Sequence, residues 1–157
     1  MRTRRIPQFS MRLRAFTLVE VLLVVALLGV LLAIALPTYG RYQDKVRTSK
    51  AITEITMMSA IVQAYFQTTG QYPASLASAE IANWIDPWGR PYVYYNIDEN
   101  GKGHARKDHA LNPLNTDFDL YSSGPDGVSK PQITQKDSVD DILRASNGAF
   151  VGIAANF

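Results

Sequence analysis

Carboxylates are the densest chemistry in this chain. Six of its 14 acidic residues, Asp117, Asp119, Asp126, Asp137, Asp140 and Asp141, fall within residues 117–141. Crowded carboxylates repel one another unless they are solvated or hold a hard cation, and Ca²⁺ takes its oxygen ligands from carboxylates, loop carbonyls and water. The spacing is not that of an EF-hand, because Tyr121 stands where the third acidic ligand belongs and the fixed glycine is missing at its step. The same residues fit a plainer arrangement, with Pro125-Asp126-Gly127 as a turn and the other aspartates on the surface. A different carboxylate, Glu20, lies alone near the start of a long apolar run. Buried at membrane depth, such a group costs roughly a few kcal/mol unless it is paired.

Other chemistries find little support. There is no cysteine, which excludes disulfides, thiolate metal sites and Cys nucleophiles. His104 and His109 lie among Lys102, Arg106, Lys107 and Asp108, and this stretch reads as a solvated loop in preference to a zinc site. No nucleophile–base–orienter set, glycine-rich phosphate loop or HExxH motif occurs, so the chain does not read as an enzyme.

The element that must position Glu20 is the run from Phe16 to Leu36, FTLVEVLLVVALLGVLLAIAL, long enough to span or nearly span a hydrocarbon core of about 30 Å. Arg2, Arg4, Arg5, Arg12 and Arg14 precede it with no acid among residues 1–15. By the positive-inside rule the N-terminus is cytoplasmic and the chain from Arg41 onward lies outside. The formal charge of +2 belongs to this leader, since beyond it 11 basic residues face 14 acidic ones, a balance of −3 that disfavours a nucleic-acid footprint. The segment also fits a plain signal anchor, or a secretory signal cut after Ala33-Ile34-Ala35, although the run exceeds the usual h-region and neither accounts for Glu20. Thr17-x-x-Glu20 has the spacing of a capping box.

Ala15-Phe16-Thr17-Leu18-Val19-Glu20 resembles the prepilin peptidase site of type IV pilins and type II secretion pseudopilins, with Ala15 in place of the usual Gly. The resemblance implies cleavage between Ala15 and Phe16, methylation of the new Phe16 amine, and a charge contact between Glu20 and the Phe16 amine of a neighbouring subunit that sets register during assembly. Either Met1 or Met11 can start the leader. Pro37 removes a hydrogen bond to the Ala33 carbonyl and is expected to kink or loosen the helix, or else to stop it at the membrane exit; pilin helices carry a proline at this distance.

Beyond the proline, Val46, Ile52, Ile55, Met58, Val62 and Tyr65 trace one helical face, with Asp44, Lys45, Arg47, Lys50 and Glu54 as a largely solvated flank and Gly70 as the stop. A helix of about 50 residues would be about 75 Å long. Residues 91–96 and 117–122 read as strands, Asn100-Gly101-Lys102-Gly103 as a hairpin turn between them, and Trp88, Tyr92 and Tyr94 as packing on the helix. The fold class is α+β, a long N-terminal helix on a small antiparallel sheet of three or four strands. The divisions are a leader, 1–15; a transmembrane and assembly helix, 16–37; and a soluble domain, 38–157, made of the helix continuation 38–69 and a head, 70–157.

The whole chain resembles the major, G-type pseudopilin of type II secretion in its DPWG at Asp86 to Gly89, Pro91-Tyr92, the strand and turn Asp119 to Gly127, and Asp141-Ile142. Residues 128–136 lack that family's glycines, and about 15 residues run on past Ile142, through Asn147-Gly148. The resemblance implies Ca²⁺ bound by Asp126 and Asp141, with the Ser123 carbonyl as a backbone ligand and Asp140 as a substitute for Asp141. It also implies a pilin-like structural subunit in the bacterial inner membrane, single-pass, with a periplasmic domain. Its partners would be membrane lipid, prepilin peptidase, an inner-membrane assembly platform, minor pseudopilins and other copies of itself in a helical filament that supports export. The alternative is a type IV pilin or minor pilin acting in adhesion, motility or DNA uptake.

Overall fold

The computed structural model describes residues 16–157, apart from the side chains of residues 37 and 38. Helix α1 spans Leu18–Thr69, 52 residues, and passes through position 37 without a helix stop. It belongs to two compact units, one reaching to Arg41 and the other Tyr42–Phe157.

In the first unit, every described side chain from Phe16 to Leu36 is exposed. Among the described residues α1 is the one helix long and apolar enough to cross a membrane. An apolar surface all round is what lipid or other apolar helices cover.

The second unit is built around the rest of α1. Ala51, Ile55, Met58 and Val62, spaced by four, three and four, are fully buried on one face. Val46, expected on that face, is 48% exposed: nine residues before Ile55, it lies on the opposite side of the helix. Gly70 ends the helix as expected, with φ +77 and its N–H donating to the Phe66 carbonyl at 2.8 Å.

The sheet consists of β1 (Val93–Asn96), β2 (Phe118–Ser122), β3 (Ile142–Ala145) and β4 (Phe150–Ile153), paired antiparallel in that order. Strand alternation divides it into two faces. Phe118, Leu120 and Ile142 pack with Tyr92, Ile81 and the buried face of α1, while Trp88 and Tyr94 lie against the same cluster. Leu143 and Ala145 pack on the opposite side with Leu114, Ile133 and Ala154. β3 is consequently buried on both faces.

Two connections differ from the sequence-based expectation. Asn100 to Gly103 is not a hairpin turn: the Asn96 side chain accepts the Glu99 N–H at 3.0 Å and so starts a short helix, α2 (Ile97–Asn100), which Gly101 ends at φ +75. A 3₁₀ turn and a long loop then lead to β2. The tight hairpin lies instead at residues 146–149, which join β3 to β4, with Ser146, Asn147 and Gly148 at φ +50, +54 and +93. What reads as a run-on past Ile142 is thus half of the sheet.

Candidate functional site

At the start of α1, Thr17 and Glu20 form a reciprocal capping box. The Thr17 N–H and hydroxyl both donate to Glu20 Oε2, at 2.8 and 2.9 Å, and the Glu20 N–H donates back to Thr17 Oγ1 at 3.2 Å. Glu20 therefore satisfies donors of the first turn within its own chain, while Phe16, 83% exposed, stands just ahead. Ala15, the expected cleavage position, and the leader lie outside the described residues. Pro37 lies within α1.

The DPWG segment forms a turn anchored to the sheet. Asp86 Oδ1 accepts the N–H groups of Trp88 and Arg90, at 3.0 and 2.8 Å, and its Oδ2 accepts the Ser122 hydroxyl of β2 at 2.6 Å. Arg90 extends from this turn to the Gly124 carbonyl, reaching the loop after β2. Gly124 has no room for a side chain, since an added Cβ would lie 2.4 Å from the Asp140 carbonyl oxygen. The two ends of the loop are thereby pressed together.

Within that loop the expected calcium ligands have protein partners. Asp126 is exposed and its Oδ1 caps its own turn by accepting the Val128 N–H at 2.8 Å. Its N–H donates to Asp140 Oδ2 at 3.3 Å, and the Ser123 carbonyl accepts the Gly127 N–H at 3.2 Å. Asp141, fully buried, pairs with Arg106 Nη2 at 2.6 Å through Oδ2, which also accepts the Ser129 hydroxyl at 2.6 Å. Asp140 Oδ1 and Asp141 Oδ1 are buried without a hydrogen-bond partner. Among the described residues, no three His, Asp or Glu side chains converge as a metal-binding group. In this arrangement the donors do not fit a Ca²⁺ ion, which takes 6–8 oxygens, because a guanidinium already stands against the best buried carboxylate.

Two buried arginines organise the acidic region, and neither is marked by the sequence pattern. Arg106 is 4% exposed; its backbone N–H donates to Asp119 at 2.6 Å, its guanidinium joins Asp141 and Ser129, and it lies 4.4 Å from the Tyr121 ring centroid. Arg144, on the opposite face, binds Asp117, the Phe118 carbonyl, Asn115 and, from α1, Ser59. Burial pushes the Asp119 and Asp141 carboxyls above their ordinary range. The Arg106 N–H and Asn115 amide oppose this at Asp119, and Ser129 and the Arg106 charge oppose it at Asp141. Glu54 is not simply part of a solvated flank either, since it accepts the Tyr92 hydroxyl at 2.6 Å. His104 and His109 remain exposed.

The Prokaryotic N-terminal methylation motif matches residues 10–36. The chain is 29% identical over 135 residues to type II secretion system core protein G of Escherichia coli, covering 73% of this chain and 83% of that protein. It is 25% identical over 142 residues to core protein G of Pectobacterium carotovorum, covering 77% and 81%. Against the fimbrial protein of Neisseria meningitidis it is 34% identical over 88 residues, 56% of this chain and about half, 51%, of the relative's length. No solved structure matches the chain significantly. The methylation motif at the head of an apolar helix, the α+β fold of its Tyr42–Phe157 unit and these relatives together make the chain a type IV pilin-like, prepilin-type structural protein and not an enzyme, related both to core protein G of type II secretion and to type IV pilins.

Proposed function

We propose that this protein is a structural subunit of a type II secretion pseudopilus. Prepilin peptidase cuts it between Ala15 and Phe16, the Phe16 amine is methylated, and the N-terminal helix assembles it into a helical filament with minor pseudopilins on an inner-membrane platform. α1 anchors it in the bacterial inner membrane, with the N-terminus cytoplasmic and the Tyr42–Phe157 unit periplasmic. The observation that carries this reading is the extent of the likeness. Core protein G of E. coli is matched over 83% of its length, whereas the Neisseria fimbrial protein is matched over 51%.

The higher identity to the fimbrial protein, 34%, favours a second reading as a type IV pilin. Deletion of the gene separates the two: loss of protein export with twitching intact supports the pseudopilus, and the reverse supports the pilus. Intact-mass analysis of the purified mature chain tests the processing step. A mass beginning at methylated Phe16 supports it, one beginning at Leu36 reveals a secretory signal, and one beginning at Met1 or Met11 leaves an uncut anchor.

A further inference from the structure

We propose that the loop between β2 and β3 is held by a cation of the chain itself, the guanidinium of Arg106, and that this protein folds without the divalent ion that its acidic residues suggest. The inference holds whichever polymer the chain enters.

The loop closes around Arg106 from several directions. Asp141 meets the guanidinium at the loop's far end, and Ser129, from its middle, binds both the guanidinium and Asp141 Oδ2. The backbone beside Arg106 pairs with the same loop. The Lys107 N–H donates to the Pro131 carbonyl at 2.8 Å, and the Ile133 N–H donates to the Lys107 carbonyl at 3.0 Å. Lys107 thus bridges residues 131–133 in parallel and fixes the backbone next to the arginine that meets the buried carboxylate. Tyr121 presents its ring to the guanidinium, and Asp119 fixes the arginine's own backbone.

A positive group already in contact with Asp141 and shielded from water repels a second cation brought to the same carboxylate. The remaining expected donors are committed to the turn itself: Asp126 to Val128, the Ser123 carbonyl to Gly127, and Asp140 Oδ2 to the Asp126 N–H. The expected ligands' carboxylate oxygens left without a protein partner, Asp140 Oδ1, Asp141 Oδ1 and the exposed Asp126 Oδ2, fall short of the six to eight that calcium takes. A guanidinium suits this role because it keeps its charge when buried and presents several donors in a fixed plane.

The test uses the full chain in detergent, stripped with EGTA and then titrated with calcium chloride by calorimetry and thermal melting. An ion at a hundred times its dissociation constant would raise the melting temperature by roughly 10 °C in a domain of this size. The wild type is expected to show no binding heat and a shift below about 1 °C on that scale. Arg106→Gln is expected to melt lower, equally in calcium and in EGTA, and Arg106→Lys, which keeps the charge, to lie closer to the wild type. A calcium-dependent rise in the wild type would overturn the proposal. So would equal losses in the Gln and Lys variants, because the charge would then not be what Arg106 supplies. If Arg106→Gln does not fold, the wild-type titration decides alone.

Discussion

Arg144 on β3 grips the Asp117 carboxylate with both terminal nitrogens, Nη2 at 2.6 Å and Nη1 at 2.8 Å, and reaches Ser59 of α1 with Nε at 3.0 Å. One side chain therefore ties the entrance of β2, the strand beside it and the helix that covers them, while its guanidinium lies 3.9 Å from the Phe118 ring centroid. Removing it strands a largely buried carboxylate and opens a void. Arg144→Ala is expected to lower unfolding free energy by about 3–5 kcal/mol, as for other broken buried ion pairs. Arg144→Lys should recover only part of this, since an ammonium cannot reproduce the fork. Chemical denaturation of the full chain in detergent measures both.

Two adjacent methionines on α1 offer a paired test of where the core lies. Met58 is fully buried and Met57 is 45% exposed. Met58→Ala should cost about 2–5 kcal/mol through lost contacts and the cavity left behind. Met57→Ala should stay within about 0.5 kcal/mol of the wild type. Equal effects in the same denaturation assay would mean that α1 packs on another face.

Tyrosine ionisation sets the alkaline limit. Burial raises the phenol pKa of Tyr72, Tyr92, Tyr94 and Tyr121, and a nearby carboxylate adds to each rise: Glu54 at Tyr92, Asp117 at Tyr72 and Tyr94, and Asp141 at Tyr121. The unfolded chain releases these protons near the ordinary phenol value of about 10, while the folded chain holds them to higher pH. Their contribution to stability is thus intact below about pH 10 and is lost as pH climbs through the folded values. Tyrosinate absorbance from these four should appear together with loss of the near-ultraviolet circular dichroism. Their full ionisation in a still-folded protein would contradict the packing described.

Glu20 separates a local role from an intermolecular one. Its capping contacts with Thr17 are satisfied within the chain. Glu20→Gln keeps an acceptor for the cap but removes the charge that a neighbouring amine would seek. If the pseudopilus proposal holds, this variant should insert and be processed normally yet fail to form filaments, as read by shearing and electron microscopy. Normal filaments with unchanged subunit stagger would reduce Glu20 to a helix cap.

Much of this architecture can be read from the chain because long periodic segments carry redundant signals. The apolar stretch, the helical spacing of Ile55, Met58 and Val62, and the glycine at position 70 each point to α1 independently, although that spacing passes over the buried Ala51 and takes in the exposed Val46. β1 and β2 follow from short β-prone runs bounded by turn residues. The hairpin expected at Asn100 to Gly103 lies elsewhere, at a site read only as a run-on. Asn100-Gly101 has the composition of a tight turn, yet Asn96, four residues earlier, captures the chain into a helix first. Asn147-Gly148 is the genuine turn, and only its flanking residues, apolar on both sides of β3, distinguish it. The arginines were not legible at all. A single charge in a polar loop or a short strand reads as solvated, and what buries Arg106 and Arg144 is a set of partners far along the chain: Asp141 for the first, Asp117 and Ser59 for the second. Long-range charge pairing leaves no local period to detect.

The bare flank of α1 from Leu18 to Leu36 governs how this protein can travel. With no polar side to offer water, apart from one acid near its tip, that stretch has no aqueous life; lipid or a like-minded helix must always surround it. If the pseudopilus proposal holds, recruitment into a polymer, and return from one, are confined to the plane of the bilayer. Supply depends on surface density and lateral diffusion, not on any pool in solution.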